Sequence, residues 1–129
     1  VYKRQHRDYG LTGIRGEAAA GFPSIETPLL ALCSLPEAEL DARRLLEALF
    51  EIMRELDDTT LVRRGGIEAL QSVKRCARDL LESGALRQAS WRDALHTVDR
   101  EFVARRLSPG GAADCLSVML FLIWLAREQ

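Results

Sequence analysis

The sequence predicts an all-α protein, a helical bundle closed by a buried apolar C-terminal helix. Three observations point there. Apolar residues recur at three- and four-residue spacing through most of the chain, and no stretch alternates as a half-buried strand does. Helix punctuation is dense, with capping residues and prolines at starts and glycine at an end. Residues 112–126 read AADCLSVMLFLIWLA, apolar on all sides except at Asp114 and Ser117. Such a helix is expected to be buried among others. At about 22 Å it is too short to span a bilayer.

The elements follow in chain order. Glycines and prolines cluster in the first 33 residues, which read as the one long connection. Ser34 and Glu37 form a capping box with Pro36 in the first turn. They open a helix, PEAELDARRLLEALFEIMREL, whose apolar face runs from Ala42 through Leu46, Phe50 and Met53 to Leu56. A second helix follows Gly65 and Gly66, with Ile67, Leu70, Val73 and Ala77 on its apolar side and Gly84 as a left-handed end. Ser90 and Asp93 flank the start of a third, striped by Trp91, Leu95, Val98 and Phe102. The last begins at Ser108, with Pro109 in its first position.

A chain of 129 residues fits one domain with a real core, so 1–129 is read as a single all-α unit. The net charge of −1 offers no bulk attraction for nucleic acid or an anionic membrane, and neither is expected as a partner. Three widely spaced cysteines make neither a disulfide framework nor a zinc knuckle; reduced thiols in a cytoplasmic protein are the simplest reading. The opening VYKRQHRDYG reads as the tail of a helix cut in its middle, which suggests a piece of a longer protein.

Three glycine-marked stretches concentrate the chemistry. In GIRGEAAAGFP, Arg15 and Glu17 flank Gly16, and an arginine beside a glycine turn meets phosphate well. A flexible connection with both charges in water is the plain alternative. In DDTTLVRRGG, Asp57 continues an apolar helical row and Asp58 stands beside it at a helix end. Two acids at the negative end of a helix dipole are unfavourable unless offset, and Mg²⁺ would offset them. Arg63, Arg64, Gly65 and Gly66 then open a helix start suited to an anion; a polar loop with internal ion pairs is the alternative. In RRLSPGGAAD, Ser108 caps, and Gly110 and Gly111 leave the first-turn N–H groups clear for a bulky anion beside Arg105 and Arg106. Asp114, one turn into a helix expected to be buried, needs an arginine, a metal ion or a proton as partner. His6 and His96 have no second ligand at metal spacing, and no phosphate-loop, serine-elbow or zinc-helix motif occurs.

GIRGEAAAGFPSI, DTTLVRRGG and RRLSPGGAAD stand in the order, and at about the spacing, found in the triphosphoribosyl-dephospho-CoA synthase family, which the chain resembles from about Tyr9 to Leu122. The likeness is to the C-terminal half of that family. The family often has His where Arg63 stands, Asn where Thr60 stands and Leu where Cys115 stands. The resemblance implies an all-α fold and a transferase with two substrates, ATP and 3'-dephospho-CoA. It makes 2'-(5''-triphosphoribosyl)-3'-dephospho-CoA and frees adenine. That product is the precursor of the prosthetic group on the acyl carrier protein of citrate lyase or malonate decarboxylase. In that reaction a ribose hydroxyl attacks C1' of the ATP ribose as positive charge develops on the sugar.

The resemblance then suggests roles. Mg²⁺ would bridge the triphosphate to Asp58, with Asp57 or Asp114 as further ligands. Arg15, Arg64 and Arg105 or Arg106 would contact phosphate, together with Gly16, Thr59, Ser108 and the backbone at Gly65–Gly66 and Gly110–Gly111. Glu17 or Asp114 would act as base or face the sugar cation, with Asp58 completing the acidic set. Two other readings stand beside this one. The chain is a catalytically incomplete part of the enzyme, or a helical module docking on an acyl carrier protein or its prosthetic-group transferase.

Overall fold

The computed structural model describes residues 10–128. The expected helical tail at the start of the chain, with His6, lies outside them. Among the described residues there are six α-helices and no strand: α1 Gly13–Ala19, α2 Glu26–Cys33, α3 Ala42–Glu55, α4 Thr59–Ser83, α5 Trp91–Ala104 and α6 Gly110–Arg127. Short 3₁₀ turns at Pro23–Ile25, Glu37–Glu39 and Ala85–Arg87 join them. The all-α expectation holds, but the stretch read as one long connection contains two helices, α1 and α2, and its glycines and prolines mark their ends and the turn between them.

α3 and α4 make the main helix pair, and α6 lies across α3 while touching α1, α2 and α4. The core between them holds Ile52 and Leu56 from α3 and its end, Leu61 and Val73 from α4, and Cys115 and Met119 from α6. The apolar row read along α3 points into it: Phe50 and Met53 are buried, as is Leu56.

The capping box is not formed. Ser34 ends α2, and Pro36 (ψ 149°) and Leu40 (ψ 69°) hold the chain out of helical geometry on either side of a 3₁₀ turn. The helix starts only at Asp41, whose carboxylate accepts the Arg44 N–H at 2.9 Å. Aspartate at this position caps as well as serine does. The helix placed after Gly65–Gly66 begins earlier, at Thr59. Gly66, at φ 77° and ψ −176°, puts a kink inside α4 in a conformation glycine takes without steric cost. Gly84 ends α4 in the left-handed region, as read from the sequence. The stripe of α5 faces inward but is only half-buried along its length.

The largest correction concerns α6. It begins at Gly110 rather than Ser108, and the residue before it, Pro109, supplies no side-chain cap. It is not buried all round. Gly111, Ala112, Cys115, Met119 and Ile123 form one buried stripe, while Leu120, Phe121, Leu122, Trp124 and Leu125 are exposed. The reason is geometric: its neighbours all lie on one side, and no described element covers the other. Phe121 and Trp124 stack obliquely on the open face, with ring centroids 6.1 Å apart. At 18 residues, Gly110–Arg127 is longer than the apolar run alone suggested, and by length and composition it is long enough to cross a membrane.

Candidate active site

The three glycine-marked stretches come together at the N-terminal end of α6. Gly13, buried at the start of α1 with φ 56°, lies against Thr59; an added Cβ would sit 2.4 Å from the Thr59 hydroxyl oxygen. Gly110 faces Thr60, and Gly111 faces the carboxylate of Asp58. Segments far apart in sequence are thus brought to backbone contact by glycine.

Asp58 is the centre of this meeting. It is only 3% exposed. Its Oδ1 accepts the Thr60 N–H at 2.9 Å, capping α4. Its Oδ2 accepts the N–H groups of Gly111 at 3.0 Å and Ala112 at 3.3 Å, in the first turn of α6. The helix start expected to receive a substrate anion therefore holds an anion of the chain itself, where backbone donors and the helix dipole favour one.

Magnesium does not fit the acids as proposed from the sequence. Both oxygens of Asp58 are engaged by backbone donors. Asp57 is exposed and paired with Lys74 at 2.5 Å. Among the described residues no group of three His, Cys, Asp or Glu could hold a metal ion. Asp114 is not the buried acid that needs a partner; it is exposed on α6, because that side of the helix is uncovered.

Glu17, half-buried on α1, accepts both the N–H of Ser24 at 3.0 Å and its hydroxyl at 2.5 Å, which ties α1 to the next turn. It lines a cleft of about 180 Å³ with Thr12, Gly13, Gly16, Glu55 and Asp57. It also lines a neighbouring cleft of about 370 Å³ that reaches Ser24, Thr27, Glu51 and Arg54. Gly16 is glycine for a local reason: a Cβ there would collide with Thr12, one turn earlier. Desolvation, then the neighbouring Glu47, raises the Glu51 carboxyl above its ordinary value, although Arg54 and Arg87 act in the other direction. Acids dominate these clefts.

The basic residues separate. Arg15 is exposed on α1. Arg63 and Arg64 are exposed on the first turns of α4, beside exposed Gly65. Thr60 and Arg64, four apart, share a helix face, so Arg64 lies on the side of α4 that meets Gly110. Arg105 turns away, donating to Ser72 at 2.9 Å and to Glu101 at 3.3 Å in the groove between α4 and α5. Arg106 is exposed with a left-handed backbone, φ 56°. Ser108 is exposed and makes no side-chain cap, although its carbonyl accepts the Gly110 N–H at 2.9 Å. The sequence reading overlooked Gly13 as a contact point and Ser24 as a buried partner. The first had a signal in its glycine motif; the second had none.

Cys115 lies behind this site, fully buried. Burial pushes its thiol up to about 12, and the negative charges of Glu17, Asp114 and Asp58 add to the effect. All three nominated acids therefore bear on one sulfur. The native-state thiol is expected to resist a disulfide reagent at pH 8, whereas exposed Cys33 reacts at once. Because the folded value lies above the ordinary 9.0, its contribution to stability is constant below pH 9 and falls as pH rises towards 12. Rapid labelling of all three cysteines in native buffer would contradict this placement.

The sequence pattern of the ATP:dephospho-CoA triphosphoribosyl transferase family matches residues 1–129. The chain belongs to this family. Over 116 residues it is 41% identical to the probable 2-(5''-triphosphoribosyl)-3'-dephosphocoenzyme-A synthase of Salmonella gallinarum, covering 88% of the chain and 38% of that protein. The synthase of Klebsiella pneumoniae is 40% identical over the same shares. The probable synthase of Acinetobacter calcoaceticus is 36% identical over 128 residues, 98% of the chain and 44% of that protein. The chain thus spans about two fifths of the length of these relatives. No solved structure matches it.

Proposed function

We propose that the chain supplies part of the active site of a transferase that joins ATP and 3'-dephospho-CoA, releasing adenine and forming 2'-(5''-triphosphoribosyl)-3'-dephospho-CoA. One observation carries this reading. The three motifs that resemble the synthase family meet at a single place, the start of α6, beside a cleft lined by Glu17. The 2'-hydroxyl of one ribose attacks C1' of the other, the bond from C1' to the adenine nitrogen breaks, and that nitrogen takes the electron pair and a proton. Glu17, held by Ser24, faces the developing sugar cation, and exposed Asp114 accepts the hydroxyl proton. Arg15 and Arg64, with Arg63 beside Arg64 and Arg106 just ahead of α6, take the triphosphate. Mg²⁺ enters as the counterion of the triphosphate, not as an ion resident on Asp57 and Asp58.

The uncovered face of α6 favours a second reading within the same chemistry, in which the chain alone is catalytically incomplete. Five large apolar residues in water are unusual for a finished surface. The product's use places an acyl carrier protein, or the transferase that loads it, next in sequence. Three unpaired thiols suit the reducing cytoplasm.

The test is adenine release from ATP, Mg²⁺ and 3'-dephospho-CoA, followed by chromatography. It compares the chain alone with the chain supplied with the part of the Klebsiella pneumoniae relative outside the match. Release by both shows a complete site; release only by the mixture shows an incomplete one. Silence from both, with folding verified, overturns the transferase reading. In the active form, Asp114→Asn is expected to lower the rate by about a hundredfold or more, the usual scale of general-base catalysis, with the fold unchanged. An active, folded variant removes Asp114 from the chemistry.

A further inference from the structure

We infer that Asp58 is a positioning residue: an internal anion that locks the start of α6 to the start of α4, and the reason why residue 111 is glycine. The carboxylate is buried and accepts three backbone N–H groups from two helices that are more than fifty residues apart in sequence. A Cβ on Gly111 would lie 2.9 Å from Oδ1, 3.0 Å from the carboxyl carbon and 3.1 Å from Oδ2. Those contacts involve a short side chain held at both ends, which has no slack to yield. The glycine pair at the mouth of α6 therefore serves the chain's own acid. The first turn of α6 is occupied by Asp58, and three backbone donors together with burial turn that carboxylate inward to the chain. What it sets is the pose of α6, and with it Asp114 three residues beyond Gly111.

Asparagine and aspartate cap helices about equally well, but an amide has one acceptor oxygen where a carboxylate has two. Asp58→Asn should keep the local contact to Thr60 and lose the distant one to α6. In the chain as it stands, amide exchange at Gly111 and Ala112 is expected to quicken by about tenfold, with Thr60 little changed. Unchanged protection at Gly111 and Ala112 overturns the inference.

A second arm rests on the proposed transferase reaction and uses the active form found above. There Asp58→Asn should lower kcat by about tenfold while the KM for ATP and the half-saturating Mg²⁺ stay within about twofold. A matching rise in the Mg²⁺ requirement would make Asp58 a metal ligand and overturn the inference. Gly111→Ala should act in the same direction. The double variant should be no worse than the worse single one, because both break the same contact. Multiplying effects overturn it. If Asp58→Asn does not fold, Gly111→Ala carries both arms. If the unaltered protein releases no adenine, the transferase reading fails, and exchange at Gly111 and Ala112 still decides the anchor.

Discussion

Asp58→Ala is expected to cost about 3–5 kcal/mol of folding stability. The substitution removes a buried acceptor and leaves the N–H groups of Thr60, Gly111 and Ala112 facing the gap. Each bond to a charged acceptor contributes about 1.5–3 kcal/mol. Relief of burying the carboxylate offsets part of that sum. Whole domains are stable by only about 5–15 kcal/mol, so the variant should sit near the edge of folding. Urea titration followed by circular dichroism measures it. A loss below about 1 kcal/mol would mean that water reaches the site and satisfies the three donors, and the carboxylate would then not be the clasp between α4 and α6.

Met119→Ala should destabilise by about 2–5 kcal/mol, and Phe121→Ala by less than about 0.5 kcal/mol. Both residues belong to the same apolar run. Met119 is fully buried against the core, while Phe121 is 55% exposed on the opposite side. Deleting the first opens a cavity in packed surroundings; deleting the second removes mostly area that water already reaches. Thermal unfolding of the pair measures the contrast directly. Comparable losses would show that the outer face of α6 is covered, as the sequence by itself suggested.

Much of the fold was legible in advance. The apolar row of α3, the stripe of α4 and the end at Gly84 follow from helical periodicity and from glycine's freedom at positive φ, both properties of neighbouring residues. The start of α3 was misjudged because Ser34, Pro36 and Glu37 have the right types at the right spacing. Two non-helical residues still intervene before Asp41, and sequence types do not reveal backbone angles. The kink at Gly66 was visible only as a boundary.

The candidate site divides in the same way. Local sequence was enough to mark Asp58, Gly110 and Gly111 as costly choices in need of a purpose. It could not say what faced what. The glycines of α6 that seemed to make room for a phosphate face Thr60 and Asp58. Arg105, placed at the site by its neighbours in sequence, is drawn off by Ser72 and Glu101.

By itself the sequence determined the four later helices, most of their inward faces, and which acids and glycines are unusual, because these depend on spacing along one chain; α1 and α2 fall in the stretch that reads as a connection. Tertiary structure alone decided that Asp58 is buried and Asp114 is not, and that α6 has a wet face. Burial is a property of what packs against a residue, and the partners of Asp58 come from the far end of the chain.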